Sequence, residues 1–184
     1  MIPVSFDYMK PSTVEDAVNA LADASDEGKV LAGGQSLLPV LRLRLAAPAL
    51  LVDLGGLPQL RGIRSDGDTV AIGAMTTHAE LAAAGIPLLS QAAATVGDRQ
   101  VRHLGTIGGS LAHADPAGDL PTAAVALDAQ MVIANQDGRR IVPASEFFVD
   151  IFTTALRPGE LLVEVRVPRL DGWGTRYGMI PRSA

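Results

Sequence analysis

The stretch Ala32-Gly33-Gly34-Gln35-Ser36 follows a predicted strand over residues 29–32 and precedes a predicted helix over residues 37–43. Glycine lets a backbone approach a ligand closely and adopt positive φ. Successive N–H groups in such a turn, with a helix N-terminus behind them, favour an anion such as a phosphate. A strand, a glycine loop and a helix in this order indicate a candidate phosphate site.

A second glycine pair, in Thr106-Ile107-Gly108-Gly109-Ser110, has the same design, with hydroxyl residues at both ends and backbone donors expected to be available. It lies in residues 97–121, which are dense in Gly, His, Asp and Pro and which we interpret as a long functional loop. Two such loops predict a ligand with two phosphates. A lone Gly-Gly pair is more often an ordinary turn, and neither loop matches G-x-G-x-x-G or a P-loop.

The order of the other predicted elements is mixed. Ser12 and Glu15 have the spacing of a capping box, which predicts a helix N-terminus at Ser12. Strands are expected at residues 50–54, 59–64, 69–73, 130–135, 139–142 and 161–167, and helices at 77–84, 87–96 and 120–127. Helices interspersed among strands without regular alternation predict an α+β fold in two subdomains, divided near residue 55.

Composition excludes several classes of function. The 184 residues carry a net charge of −5 and no cysteine, and 48% of them are hydrophobic. The acidic charge argues against nucleic-acid binding, and the absence of cysteine excludes disulfides, catalytic thiols and iron–sulfur clusters ligated by this chain. The N-terminus lacks the pattern of a signal peptide, and the longest uncharged run, residues 81–97, is too short and polar to span a membrane. A cytoplasmic protein is expected.

Few side chains could carry chemistry. Asp115 and Asp119 could accept hydrogen bonds from ribose or ribityl hydroxyls, or could equally cap a turn and a helix. The spacing of His78, His103 and His113 predicts no metal site, and His113 is more readily explained as a structural residue than as a ligand contact. No nucleophile motif is present, so no catalytic residue is predicted. Phosphate loops without reactive side chains indicate a cofactor that supplies the chemistry.

Three motifs together resemble a known family. They are Ala32-Gly33-Gly34-Gln35-Ser36-Leu37-Leu38-Pro39, Gly73-Ala74-Met75-Thr76-Thr77-His78-Ala79-Glu80-Leu81, and Gly105 to Pro121. In this order and spacing they are similar to the FAD-binding medium subunit of molybdenum hydroxylases, of the carbon monoxide dehydrogenase type, with the xanthine dehydrogenase flavin domain as a relative. Residues 158–162 and 167–168 resemble a later strand of that family.

The resemblance implies a two-subdomain FAD-binding fold of the vanillyl-alcohol oxidase and CO dehydrogenase flavoprotein type. Its subdomains would cover residues 1–55 and 56–177, and residues 178–184 would begin the family's C-terminal domain. The FAD pyrophosphate would lie between the two glycine loops, Asp119 would bind the ribityl or nearby hydroxyls, and Leu162 would pack near the adenine. The implied FAD-binding residues are Ala32, Gly33, Gly34, Gln35, Ser36, Thr106, Ile107, Gly108, Gly109, Ser110, Asp119 and Leu162.

The resemblance also implies a function. The chain would take electrons from the 2Fe–2S clusters of a small subunit, which receives them from a molybdenum-cofactor large subunit, and FAD would pass them to an external acceptor. Ser110 replaces a common Asn, and Met179 stands where a Lys is common. The alternatives are a self-sufficient flavin oxidoreductase of the UDP-N-acetylmuramate dehydrogenase type and a non-catalytic flavin-binding or assembly fragment.

Overall fold

A computed structural model describes residues 2–179 and begins with a small parallel sheet. Its strands are β1 (Asp7–Met9), β2 (Gly28–Leu31) and β3 (Leu50–Asp53), in the order β1-β3-β2. Helix α1 (Val14–Ala24) connects β1 to β2, and α2 (Leu37–Arg42) connects β2 to β3. The glycine loop therefore lies at the carboxyl end of β2, as the sequence predicts.

Helix α1 begins one residue later than the capping box at Ser12 predicts. Thr13 is the N-cap, with extended backbone, and its Oγ1 accepts a hydrogen bond from the Asp16 N–H at 3.0 Å. Thr13 and Asp16 have the same three-residue spacing as Ser12 and Glu15, so the sequence pattern alone does not separate the two registers. The Ser12 hydroxyl instead donates to the Asp16 carboxylate at 3.3 Å.

A five-stranded antiparallel sheet follows, in the order β4-β5-β10-β6-β7. Its strands are β4 (Ile63–Asp66), β5 (Thr69–Gly73), β6 (Gln130–Asn135), β7 (Gly138–Pro143) and β10 (Leu161–Pro168). Strand β10, the last one within residues 2–179, occupies the centre, where Val165 pairs with Ile72 on one side and Met131 on the other. A central strand is buried on both faces, which explains the nearly continuous apolar run of residues 161–167.

The helices of this second unit confirm the α+β class but correct one prediction. They are α3 (His78–Ala83), α4 (Leu89–Thr95), α5 (Arg99–Leu104), α6 (Ile107–His113), α7 (Asp119–Ala126) and α8 (Ala144–Phe147), with a hairpin of β8 (Phe148–Asp150) and β9 (Thr153–Thr154). The expected loop over residues 97–121 is wrong, since it contains α5 and α6. Asp98 and Thr106 cap these helices, and burial of Ile107 and Leu111 outweighs the low helix propensity of the glycines.

Strand β10 contributes to two hydrophobic cores. One core lies between the sheet and α4, α6 and α7, with Leu89, Leu111 and Val165 among its members. The other forms where α1 and β3 pack on the opposite face of β6 and β10, with Val18 and Val163 among its members. The last strand of the three-stranded sheet ends at Asp53, and the first strand of the five-stranded sheet begins at Ile63. The subdomain boundary near residue 55 and a C-terminal domain starting at residue 178 remain predictions, and residues 180–184 lie outside the described residues.

Candidate functional site

A cleft of about 630 Å³ lies between the N-terminal loop of residues 32–36 and helix α6. It has the size of a small-molecule or cofactor site. All predicted site residues except Ile107 and Asp119 line it: Ala32, Gly33, Gly34, Gln35, Ser36, Thr106, Gly108, Gly109, Ser110 and Leu162. The two glycine pairs, 75 residues apart in the sequence, therefore meet across one concave surface.

Two of the glycines are required by contacts within the protein. A Cβ on Gly33 would lie 2.2 Å from the carbonyl oxygen of Leu104 and 2.7 Å from the Cα of Gly105. A Cβ on Gly108 would lie 2.7 Å from the carbonyl oxygen of Ala74. These distances are too short for any side chain, so Gly33 allows the N-terminal loop to touch the junction of α5 and α6. Because neither glycine has a Cβ, the backbone segments that line the cleft can approach each other this closely.

The first glycine loop carries unused backbone donors. Within residues 2–179, the N–H groups of Gly33, Gly34, Gln35 and Ser36 donate to no other residue. Gly34 has a φ of 72°, a left-handed conformation that favours glycine. The side-chain amide of Gln35 donates to the Gly33 carbonyl at 3.0 Å and so braces the turn from within. The loop therefore offers a run of adjacent donors to an anion, as its sequence predicts.

The second glycine pair does not offer such donors, which corrects the expectation drawn from its sequence. The N–H of Ile107 donates to the Thr76 carbonyl at 3.0 Å, and that of Gly108 donates to the Ala74 carbonyl at 2.8 Å. The N–H of Gly109 donates to the Thr106 hydroxyl oxygen at 3.1 Å. The pair lies in the first turn of α6, where the amides of Ile107 and Gly108 attach the helix to residues 74–76 and that of Gly109 is capped by Thr106. The hydroxyls of Thr106 and Ser110 are the polar side chains it presents at the cleft.

His78 lines the cleft but was assigned no role from the sequence. It is 2% exposed at the start of α3, where Thr77 and Glu80 form a capping box. Its Nε2 lies 3.2 Å from the Ser110 hydroxyl oxygen, and its Nδ1 is buried without a partner among residues 2–179. Burial lowers the pKa of His78 to about 4, so the ring is neutral at neutral pH. The capping box indicates a helix start and gives no signal of this contact.

The structure places Ile107 and Asp119 outside the cleft. Ile107 is fully buried in the larger core. Asp119 is the first residue of α7, and its carboxylate accepts hydrogen bonds from the Tyr177 hydroxyl at 2.5 Å and from the Thr95 hydroxyl at 3.3 Å. Asp115 also lies off the cleft lining and accepts from the Ala117 N–H at 2.9 Å, which is the turn-capping alternative.

An aromatic pair stands at the rim. Phe152 is 54% exposed and has a φ of 53°, which is unusual for a bulky residue. Its N–H donates to the carbonyl of Ala114 at 3.2 Å, and its ring centroid is 5.0 Å from that of His113. Both Phe152 and His113 line the cleft. This pair could not be predicted from local sequence, because its members come from α6 and from the β8–β9 turn.

An ion pair braces the opposite wall, formed by residues 157–162. Arg140 donates to both carboxylate oxygens of Glu160, at 2.8 and 2.6 Å, and to the Ala155 carbonyl at 2.7 Å. The Arg157 N–H donates to the same carboxylate at 2.9 Å. Burial alone would raise the pKa of Glu160, but the hydrogen bonds from Arg140 and Arg157 outweigh it and hold that pKa below its ordinary value. The turn of residues 157–160, which leads into β10 and Leu162, is thereby held in place.

Three further properties of the described residues are relevant to function. Among residues 2–179, no group of three His, Asp or Glu side chains is arranged to bind a metal ion. The helices in that same part of the chain are all too short or too polar to cross a membrane. Lys29 and Arg157 line the cleft, and neither forms an ion pair with a described residue.

Comparisons with known proteins give a consistent result. Residues 4–170 match the family model described as the FAD binding domain in molybdopterin dehydrogenase. The chain is 47% identical to the 6-hydroxypseudooxynicotine dehydrogenase complex subunit alpha of Paenarthrobacter nicotinovorans, over 99% of this chain and 64% of that one. It is 44% identical to the carbon monoxide dehydrogenase medium chain of Hydrogenophaga pseudoflava, over 100% of this chain and 66% of that one.

A solved structure agrees with these sequence matches. It is a carbon monoxide dehydrogenase from Hydrogenophaga pseudoflava which lacks the Mo-pyranopterin moiety of the molybdenum cofactor. The TM-score is 0.90 at 46% identity, and the match covers 92% of this chain and 61% of that one. The chain thus spans somewhat under two thirds of the length of these relatives.

Proposed function

The chain belongs to the family of FAD-binding domains of molybdopterin dehydrogenases, and from this premise we propose that it is the electron-transferring flavin subunit of a molybdenum hydroxylase complex. This family membership confirms the resemblance that was predicted from the three motifs. The cofactor of the family is FAD, and its members are oxidoreductases. The observation that carries the proposal is the cleft, which brings the N–H groups of residues 33–36, unused within residues 2–179, to one concave surface with Thr106 and Ser110.

The residues of the cleft fit a dinucleotide. A pyrophosphate needs clustered donors, and residues 33–36 offer adjacent N–H groups. Lys29 and Arg157 add positive charge at the cleft lining despite the acidic net charge of the chain. Apolar residues of the cleft lining, Leu156 and Leu162 among them, suit the flat face of an adenine or a flavin.

Each part of the chain has its own task in this proposal. When bound, FAD supplies the chemistry of accepting and donating one or two electrons. The N–H groups of residues 33–36 hold phosphate oxygens, the Ser110 hydroxyl orients the cofactor, and Leu162 excludes water from a ring face. Asp119 remains a proposed contact of the ribityl or nearby hydroxyls, drawn from the family resemblance. It would then exchange its hydrogen bond from Tyr177 for one from the cofactor.

The electron path and partners are part of the same proposal. Electrons would arrive from the 2Fe–2S clusters of a small subunit, supplied by a molybdenum-cofactor large subunit, and leave to an external acceptor in the cytoplasm. The absence of cysteine supports this division, because this chain cannot ligate an iron–sulfur cluster through thiolates. The relatives are themselves named as a medium chain and as a subunit of a complex.

An FAD titration of the purified 184-residue chain tests the first part of the proposal. We expect saturable binding of one FAD per chain, with quenching of flavin fluorescence. A chain that binds no FAD at any concentration would refute the proposed role of the cleft.

Co-expression with large and small subunits tests the second part of the proposal. The expected result is a stable complex that reduces bound FAD only when the substrate of the complex is present. Reduction of bound FAD by NADPH without partners would instead favour the self-sufficient oxidoreductase.

A further inference from the structure

His78 and Ser110 form a contact between two elements that meet at the cleft. The imidazole Nε2 lies 3.2 Å from the Ser110 hydroxyl oxygen, across a junction where His78 begins α3 and Ser110 lies in α6. His78 is 2% exposed and its ring packs against Gly105, where a Cβ would lie 2.8 Å from the ring atoms Cδ2 and Nε2. The backbone N–H of His78 also donates to the Gly105 carbonyl at 2.9 Å. The imidazole therefore has little freedom to turn.

The unpartnered Nδ1 decides which nitrogen of His78 carries the proton. A neutral imidazole has one N–H donor and one bare acceptor nitrogen. If Nδ1 carried the hydrogen, a buried N–H would have no acceptor among residues 2–179. Orphaned buried N–H groups are rarer in proteins than under-satisfied acceptors. The geometry therefore favours the tautomer protonated at Nε2, which donates to the Ser110 oxygen.

This tautomer determines the direction of the Ser110 hydroxyl. Its oxygen already accepts from His78, so its own hydrogen is left for a further acceptor. Among residues 2–179, the hydroxyl donates to no backbone carbonyl of α6, which is the usual partner of a serine in a helix. The amides of Ile107, Gly108 and Gly109 are engaged within the protein. Ser110 thus supplies a hydrogen-bond donor on a side of the cleft where the glycine pair supplies none.

We propose that His78 is a positioning residue that holds the Ser110 hydroxyl as a donor toward an acceptor oxygen of bound FAD. The inference rests on the proposed function, since it names FAD as the ligand, but the tautomer of His78 is a property of the chain without ligand. Its tests are therefore separable from the FAD titration.

The first test is nitrogen-15 NMR of the ligand-free chain, with His103 and His113 as internal references. His103 is exposed on α5, and its one side-chain hydrogen bond within residues 2–179 joins Nδ1 to the Arg99 carbonyl. We expect His78 to show a protonated Nε2 and a bare Nδ1 at neutral pH. A spectrum in which Nδ1 carries the proton would overturn the proposal, because Ser110 would then donate to His78 and not to a ligand.

The second test measures FAD affinity in a double-mutant cycle. Ser110→Ala and His78→Leu are each expected to weaken FAD binding about tenfold, and the double variant no more than either alone. His78→Gln retains a donor near Nε2 and is expected to recover most of the affinity. His103→Leu is the matched control and should bind as the wild type does.

Thermal melts accompany each variant, so that unfolding is not mistaken for lost binding. Multiplicative losses in the double variant, or unchanged FAD affinity of a folded Ser110→Ala, would overturn the proposal. If wild-type chain binds no FAD, the proposed function fails while the NMR experiment still decides the tautomer.

Discussion

Replacing Gly33 with alanine tests whether contact between the two sides of the cleft shapes the site. The new Cβ would lie 2.2 Å from the Leu104 carbonyl oxygen and 2.7 Å from the Gly105 Cα. Both opposing atoms belong to the backbone, so no side chain can rotate away and the loop itself must shift. Overpacking of this kind costs about 1–3 kcal/mol. For a domain of this size, that corresponds to a melting temperature lower by about 2–12 °C.

The same shift should weaken FAD binding, because it displaces the N–H donors of residues 33–36. We expect about a tenfold higher dissociation constant for Gly33→Ala, the equivalent of losing one good hydrogen bond. The matched control is Gly174→Ala, where a Cβ meets no atom within 4 Å and φ is not positive. Differential scanning fluorimetry and an FAD titration measure both effects. A Gly33→Ala variant with wild-type melting temperature and wild-type affinity would refute the close approach.

Three further predictions concern stability. Arg140→Gln leaves the Glu160 carboxylate buried without its ion pair and should lower the free energy of unfolding by about 2–3 kcal/mol, whereas its exposed neighbour Arg139→Gln should change it by less than about 0.5, both measured by urea denaturation. Thr13→Ala should cost about 1 kcal/mol and Ser12→Ala little, a comparison of thermal melts that identifies the N-cap of α1. Burial would raise the pKa of Glu164, but hydrogen bonds from Arg166 and Arg64 hold that pKa below its ordinary value of 4.5. The stability that this carboxylate contributes is therefore present above pH 4.5 and is lost as the pH falls further, and urea denaturation at several pH values should show a smaller acid-induced loss of unfolding free energy in Arg166→Gln than in the wild type.

Much of the strand framework is predictable from local sequence. The apolar run of residues 50–54 is bounded by Gly55 and Gly56, and β3 covers Leu50–Asp53. The predicted strand over residues 69–73 matches β5 residue for residue. Strands of this kind are signalled by composition and by the turns around them, both of which lie within a few residues. The meeting of the two glycine pairs is not local, and it was expected from the family resemblance.

What could not be predicted depends on contacts between distant residues. Helices α5 and α6 have six and seven residues, too few to be stable alone, so their formation rests on packing that the sequence does not display. One hydrogen-bond partner of Asp119 is Tyr177, which lies 58 residues later. The contact between His78 and Ser110 spans 32 residues. In each case the residue types allow several roles, and only the fold selects one.

The two glycine pairs illustrate why a shared motif does not imply a shared role. At the first pair the chain leaves a strand and turns, and the consecutive N–H groups of residues 33–36 donate to no residue within 2–179. In the second pair the chain is already helical, and the amides of Ile107 and Gly108 attach α6 to residues 74–76 while that of Gly109 donates to the Thr106 hydroxyl oxygen. Backbone donors therefore come from the N-terminal side of the cleft and hydroxyl donors from the other. A ligand that uses both must bridge the two sides, so its binding free energy adds to the stability of their contact.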